Sequence, residues 1–224
     1  MRKKNNPGFI VVEGPIGVGK TTLARRLADS FHSDLLLEGL ENNPFLDRFY
    51  QDPRSAALQT QLFFLFQRAE QIRSLRQADM FQPVRIADFI MGKDRLFAEL
   101  TLDAEEFKLY EQVYSHIIVN TTADAPSPDL VVYLQAPVGV LKKRISERGR
   151  EFERMLDIDY LQKLSESYMR FFHNYTDAPL LIVNATELDF AHNDDDYSLL
   201  LAQIKRIKTG RHYFNPASSL ELRA

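Results

Sequence analysis

A three-layer α/β domain around a central five-stranded parallel sheet is what this 224-residue sequence predicts. Three observations lead there. Short apolar runs alternate with helix-length segments, the runs lack a clean period of two, and each run is closed by a polar residue. Strands alternating with helices build a parallel sheet covered on both faces. A strand buried on both faces is apolar throughout rather than at every second position.

The first run, Phe9–Val12, ends at Glu13 and leads into a helix over Lys20–Phe31. The second, Leu35–Leu37, ends at Glu38 and precedes a long helix over Ala56–Ala78. The third, Val84–Ala87, ends at Asp88, and a helix over Asp103–Thr121 follows. The fourth, Leu130–Leu134, ends at Gln135; helices over Val138–Arg148 and Ile158–His173 come next. The fifth, Leu180–Val183, ends at Asn184. An acidic cluster at Asn193–Asp196 reads as the cap of a last helix. Residues 1–7 and 210–224 read as flexible tails of a single domain spanning the chain. In open parallel sheets ligands bind beyond the carboxyl ends of the strands, so the closing polar residues are candidates for a site. Each of them also reads as a simple loop opener.

Composition narrows the class. With 45% apolar and 26% charged residues the chain has the make-up of an ordinary globular domain. A net charge of −3 creates no field that recruits nucleic acid. The absence of cysteine rules out disulfides and cysteine-ligated zinc and suits a reducing compartment. The apolar run at Phe9–Val12 is too short for the core of a secretory leader. No stretch approaches the roughly 18 apolar residues of a membrane span. The expectation is a soluble, cytoplasmic protein with neither membrane nor nucleic-acid partner.

Residues 14–21 read GPIGVGKT and match the phosphate-loop pattern, with a buried strand before them and a helix after. Gly14, Gly17 and Gly19, with Pro15, Ile16 and Val18 between them, let the backbone curl so that its N–H groups converge on phosphate oxygens. Lys20 is placed to bridge the β- and γ-phosphates of a nucleoside triphosphate, and Thr21 to put its hydroxyl on Mg²⁺. Thr22 continues into the helix, whose N-terminus adds a partial positive charge.

Beyond the loop, four strings occur in order: LLLEGLENNPFLDRFYQD, TQLFFLFQR, ADFIMGKDRLFA and RISERGREFE. Together, from about Phe9 to Phe190, they resemble the deoxynucleoside kinase family, most of all its bacterial deoxyadenosine/deoxyguanosine branch. The resemblance implies a P-loop kinase fold with an arginine-bearing lid. It implies transfer of the γ-phosphoryl group of ATP, with Mg²⁺, to the 5′-hydroxyl of a 2′-deoxynucleoside, a purine one favoured, in a homodimer.

It also implies roles for single residues. Glu38 faces the 5′-hydroxyl, where chemistry asks for a carboxylate to accept a proton; Glu41 is a nearby rival. Tyr50 meets the sugar, Gln61 reads the base, and Arg68, two helical turns after Gln61, shares its face. Gln61 is alternatively a solvated helix residue. Phe97 stacks on the base, Asp94 matches an acidic position near the nucleoside, and Glu153 accepts from the sugar 3′-hydroxyl. Asp88 matches an acidic position with two open roles, holding Mg²⁺ or acting at the 5′-hydroxyl. The family follows that acid with arginine, whereas Phe89 stands here. Lys93, Asp94 and Arg95 come soon after, and the sequence leaves open whether Lys93 supplies the missing charge. Arg144 and Arg148 share a helical face by their spacing, Gly149 ends the helix, and Arg150 sits on the loop beyond. These three guanidinium groups suit the charge that builds on the transferred phosphoryl group. Asn184–Phe190 is where the family cups the adenine of ATP.

Two rivals stand beside this reading. A nucleoside monophosphate kinase needs a phosphate clamp at the acceptor, where Glu38 would repel it. A non-catalytic nucleotide-binding relative is kept open by Phe89 and opposed by Lys20, Thr21, Glu38 and the lid arginines.

Overall fold

The computed structural model describes residues 7–77, 84–122, 126–150, 153 and 156–216. Within them the strands are β1 (Phe9–Glu13), β2 (Asp34–Leu36), β3 (Arg85–Ala87), β4 (Leu130–Gln135), β5 (Leu180–Asn184) and β6 (Arg211–Phe214). They form one sheet in the order β2-β3-β1-β4-β5-β6, every neighbouring pair parallel. The expected five-stranded sheet therefore has six strands among the described residues. The expectation of a flexible tail from residue 210 does not hold for Arg211–Phe214, which lies in register on Leu180–Val183. Backbone hydrogen bonds hold this edge strand, and the alternating RHYF carries no apolar run to betray it. At the other end Pro7, counted in the expected tail, is buried, and the Asp129 carboxylate accepts from Gly8 N at 2.7 Å. Residues 1–6, 217–224 and Ala78 lie outside the described residues.

Between the strands run α1 (Lys20–Phe31), α2 (Leu46–Gln51), α3 (Pro53–Gln77), α4 (Asp94–Thr101), α5 (Ala104–Thr122), α6 (Val138–Arg148), α7 (Ile158–Asn174) and α8 (Asp194–Arg206). Local chemistry sets their ends. Asp103 caps α5, its Oδ1 accepting from Glu105 N and Glu106 N, while Glu106 reaches back to Asp103 N. Asn193 caps α8 by accepting from Asp195 N and Asp196 N, which places the acidic cluster at the helix start. Gly149 closes α6 in the left-handed conformation.

Successive residues of a strand point to opposite faces, and both faces are covered. On one side Ile10, Val12, Leu130, Val132, Leu181 and Val183 pack against α1 and α8 through Leu23, Leu27, Leu200 and Ile204. On the other, Val11, Val131, Tyr133 and Ile182 pack against Leu164, Tyr168 and Phe172 of α7. A further cluster ties α3, α4 and α5 through Leu65, Ala98, Tyr110 and Ile117. The sheet order matters for function: β1 and β3 are neighbours, yet the chain crosses from β3 over β1 to reach β4. Crevices open at the carboxyl edge where strand order reverses in this way.

Candidate active site

A cleft of about 810 Å³ opens at that edge, lined by the phosphate loop, Glu38, Asp88 and the arginines of α6. The loop leaves β1 at Glu13 and turns into α1 at Gly19. Glycine is required at both ends of the turn. Gly14 has φ +150°, and a Cβ there would lie 2.3 Å from the Leu134 carbonyl oxygen. Gly19 has φ +104°, and a Cβ would meet the Phe190 ring at 2.9 Å. Lys20 Nζ folds back to donate to the carbonyls of Gly14 at 2.7 Å and Pro15 at 3.3 Å. Burial, with Lys93 nearby, pulls the Lys20 ammonium below its ordinary value. Ile16, Gly17, Val18, Thr21 and Thr22 share the cleft wall. Pro15 contributes its backbone to the curl.

Opposite the loop the ends of β2 and β3 bring two carboxylates together. Asp88 accepts from Thr21 Oγ1 at 2.6 Å through one oxygen and from Glu38 N at 2.8 Å through the other. Glu38 lies two residues past the observed end of β2 rather than directly at it. Asp88 N still bonds Leu36 O, but Gln71 of α3 takes Leu37 O at 2.7 Å, so the chain leaves the sheet there. Gln67 of α3 holds Gly39 O in the same way. The Glu38 carboxylate is then gripped by both oxygens, Oε1 by Arg68 and Oε2 by Lys93 Nζ at 3.1 Å. Burial opposes its charge, but Lys93 and then Arg68 outweigh burial and hold the carboxyl well below the usual range. Glu41, the rival, sits on a 3-10 turn and pairs with Arg150 at 2.6 Å.

The remaining expected residues divide clearly. Tyr50, Gln61, Arg68, Phe97 and Glu153 all face the cleft. Gln61 is buried and donates to Thr101 Oγ1 at 3.2 Å, so it is not a solvated helix residue. Thr101 Oγ1 in turn donates to Phe97 O at 2.7 Å, linking Gln61 to the turn of helix that carries Phe97. Burial pushes the Tyr50 phenol well above its ordinary value, so it works as a neutral hydroxyl. Asp94 is not among the lining residues; it stands behind Arg68 and is ion-paired with it. Asp94 therefore reaches the cleft only through Arg68, which lines it.

The lid arginines are also separated by their partners. Arg144 spans from Val18 O at 3.3 Å to Ala185 O at 2.8 Å, tying α6 to the loop and to the segment after β5. Arg148 forks onto Glu153, and Arg150 bridges to Glu41 across the cleft. Of the segment Asn184–Phe190, Thr186–Phe190 lines the same cleft.

One participant escaped the sequence reading, and the sequence left the part of a second, Lys93, open. Glu13, set aside as the entry to the phosphate loop, is fully buried and accepts from Gly14 N, Ile90 N and Tyr168 OH. Lys93 is buried beside it at 3.2 Å. The only signal for the pair was an acid at the end of β1 and a lysine close behind the departure at Phe89.

The geometry thus defines a nucleotide-dependent phosphotransferase, with a phosphate loop and a carboxylate facing it across a cleft. Comparison with known proteins agrees. The deoxynucleoside kinase family model matches residues 10–208. A deoxyguanosine kinase of Bacillus subtilis is 35% identical over 211 residues, covering 91% of this chain and 99% of that protein. A deoxyadenosine kinase of Lactobacillus acidophilus is 29% identical, covering 87% and 94% respectively. A solved deoxyadenosine kinase from M. mycoides with bound dCTP shares the fold with a TM-score of 0.76 at 23% identity, over 89% of this chain and all of that one. The chain belongs to the deoxynucleoside kinase family. It is an enzyme that phosphorylates a deoxynucleoside with ATP.

Proposed function

We propose that the acceptor is a purine 2′-deoxynucleoside and that Glu38 takes the proton of its 5′-hydroxyl. The observation that carries this reading is the Glu38 carboxylate, fixed through both oxygens at the cleft shared by the phosphate loop and the arginines. As the 5′-oxygen bonds to the γ-phosphorus and the bond to ADP breaks, the hydroxyl becomes acidic and its proton passes to Glu38. A carboxylate held this far down is a weak base. Its service is orientation first and proton acceptance late in the step. Arg144, Arg148 and Arg150 meet the charge on the transferring group. Arg148 and Arg150 leave Glu153 and Glu41 to do so, which frees Glu153 for the sugar 3′-hydroxyl.

Thr21 and Asp88 would hold Mg²⁺. A hydroxyl and a carboxylate already in contact are the hard oxygen donors this ion takes alongside phosphate oxygens and water. Among the described residues no cluster of three or more His, Cys, Asp or Glu side chains could hold a metal by itself, which fits an ion that arrives with its nucleotide. Bound there, the ion neutralises charge on the phosphates.

The purine assignment rests on the two relatives, named for deoxyguanosine and deoxyadenosine, and on the buried Gln61 amide facing the cleft. Exposed Phe66 of α3, with Leu109 and Val119 of α5, supports a homodimer built on these two packed helices. Use of ATP as donor suits a cytoplasmic enzyme. Among the described residues no helix is long and apolar enough to cross a membrane. Purified protein with ATP-Mg²⁺ and each of the four deoxynucleosides tests the reading. The expected product is a 5′-monophosphate, with kcat/KM highest for a purine. A pyrimidine favoured by about tenfold overturns the base assignment, and turnover of monophosphates alone overturns the acceptor.

A further inference from the structure

Lys93 is, among the described residues, the most deeply buried cation, at 1% exposure. It closes the short 3-10 turn Met91–Lys93 that leads into α4. Its Nζ lies 3.2 Å from Glu13 Oε1 and 3.1 Å from Glu38 Oε2, joining the end of β1 to the segment beyond β2. Burial works against its charge, but Glu13 and then Glu38 outweigh burial and keep the ammonium protonated.

The two carboxylates it touches differ in kind. Glu13 is fixed without it, since Gly14 N at 3.0 Å, Ile90 N at 2.9 Å and Tyr168 OH at 3.2 Å all donate to it. The Glu38 carboxylate is held by cationic side chains, Lys93 on one oxygen and Arg68 on the other. Arg68 is itself held by Asp94, the residue after Lys93. One turn of chain thus sets both grips on Glu38, directly through residue 93 and through Arg68 by residue 94. Position 89, directly after Asp88, cannot supply a cation here. Phe89 is buried in the apolar cluster with Val11, Leu96 and Tyr168.

We propose that Lys93 is a positioning residue for phosphoryl transfer: anchored on Glu13, it sets the Glu38 carboxylate in the orientation from which it meets the 5′-hydroxyl. The assignment rests on Glu38 as the proton acceptor. A rigid strut explains why a cation is buried between two acids when one of them is already satisfied. It also explains how the site dispenses with a charge at position 89.

The test compares full-length variants at saturating ATP-Mg²⁺ and the preferred deoxynucleoside. Lys93→Met alone strands buried charge and endangers folding, so it is made in a Glu13→Gln background and measured against Glu13→Gln. Expected is a fall in kcat of about 10²-fold with KM for ATP unchanged within about twofold, as for a misplaced reacting group. Lys93→Arg keeps the charge and serves if the double variant does not fold. Its longer planar fork cannot seat Glu38 in the same place, so kcat should fall about tenfold with KM for ATP unchanged. Full kcat in either variant overturns the proposal and leaves Lys93 as a neutraliser of buried acid. A rise in KM for ATP with kcat intact does the same. Glu38→Gln is run alongside: if it retains full kcat, the reading of the base has failed instead.

Discussion

Replacing Glu38 by glutamine removes the proton acceptor while keeping the shape of the side chain. The surrounding charges determine whether the fold tolerates it. The cluster holds Glu13, Glu38, Asp88 and Asp94 against Lys20, Lys93 and Arg68, four acids to three bases. With the amide in place of Glu38 three acids face the same three bases, and neither gripping cation is stranded. Lys93 keeps Glu13 at 3.2 Å, and Arg68 keeps Asp94. The amide offers one oxygen and one NH₂ group to two cations, so one cation faces a donor. That mismatch costs about 1–3 kcal/mol, within the roughly 5–15 kcal/mol stability of a typical domain. The variant should fold.

Its loss of stability should depend on pH. Burial alone would raise the Glu38 carboxyl; Lys93 and Arg68 depress it in the folded state below the ordinary 4.5. A depressed carboxyl contributes stability that is present above its unfolded value and lost as pH falls toward its folded one. The stability gap between wild type and Glu38→Gln is therefore widest near neutrality and narrows below pH 4.5. Activity should fall much further than stability, by about 10²–10⁴ in kcat, or about 3–5 kcal/mol of barrier. KM for the deoxynucleoside should change little. Steady-state turnover at saturating substrates and denaturant unfolding across pH measure both effects. A folded Glu38→Gln enzyme with kcat near wild type would refute the assignment.

Three further outcomes follow from the same geometry. Lys20 is bonded to backbone carbonyls of its own loop, so Lys20→Ala should still fold and abolish turnover; near-normal activity in the folded variant would remove the loop from the ATP site. Asp88→Asn replaces an acceptor that serves both Thr21 and Glu38 N, so the Mg²⁺ concentration for half-maximal rate should rise, with partial rescue by excess metal. A dead variant that no metal concentration restores would point instead to direct action at the 5′-hydroxyl. Gln61→Ala should lower kcat/KM for the deoxynucleoside about 5–150-fold, equivalent to about 1–3 kcal/mol, while KM for ATP holds; equal effects on both substrates would indicate a structural role through Thr101.

The sequence by itself determined the parts of this enzyme that follow from local chemistry. The apolar runs gave the parallel strands of a sheet covered on both faces, because such strands cannot carry polar residues mid-run. GPIGVGKT gave the phosphate loop, because no other residue fits the backbone at Gly14 or Gly19. The order of later strings gave the family. Tertiary structure decided what depends on distance between segments far apart in the chain. The edge strand Arg211–Phe214 exists through backbone pairing with β5, which composition does not encode. The ion pair of Asp94 with Arg68 joins α4 to α3, a contact that neither segment shows by itself. Glu13 and Lys93, far apart in the chain and each unremarkable in its own segment, meet only because β1 lies beside β3 in the sheet. Both side chains are buried, and a buried charge is tolerated beside a partner of opposite sign.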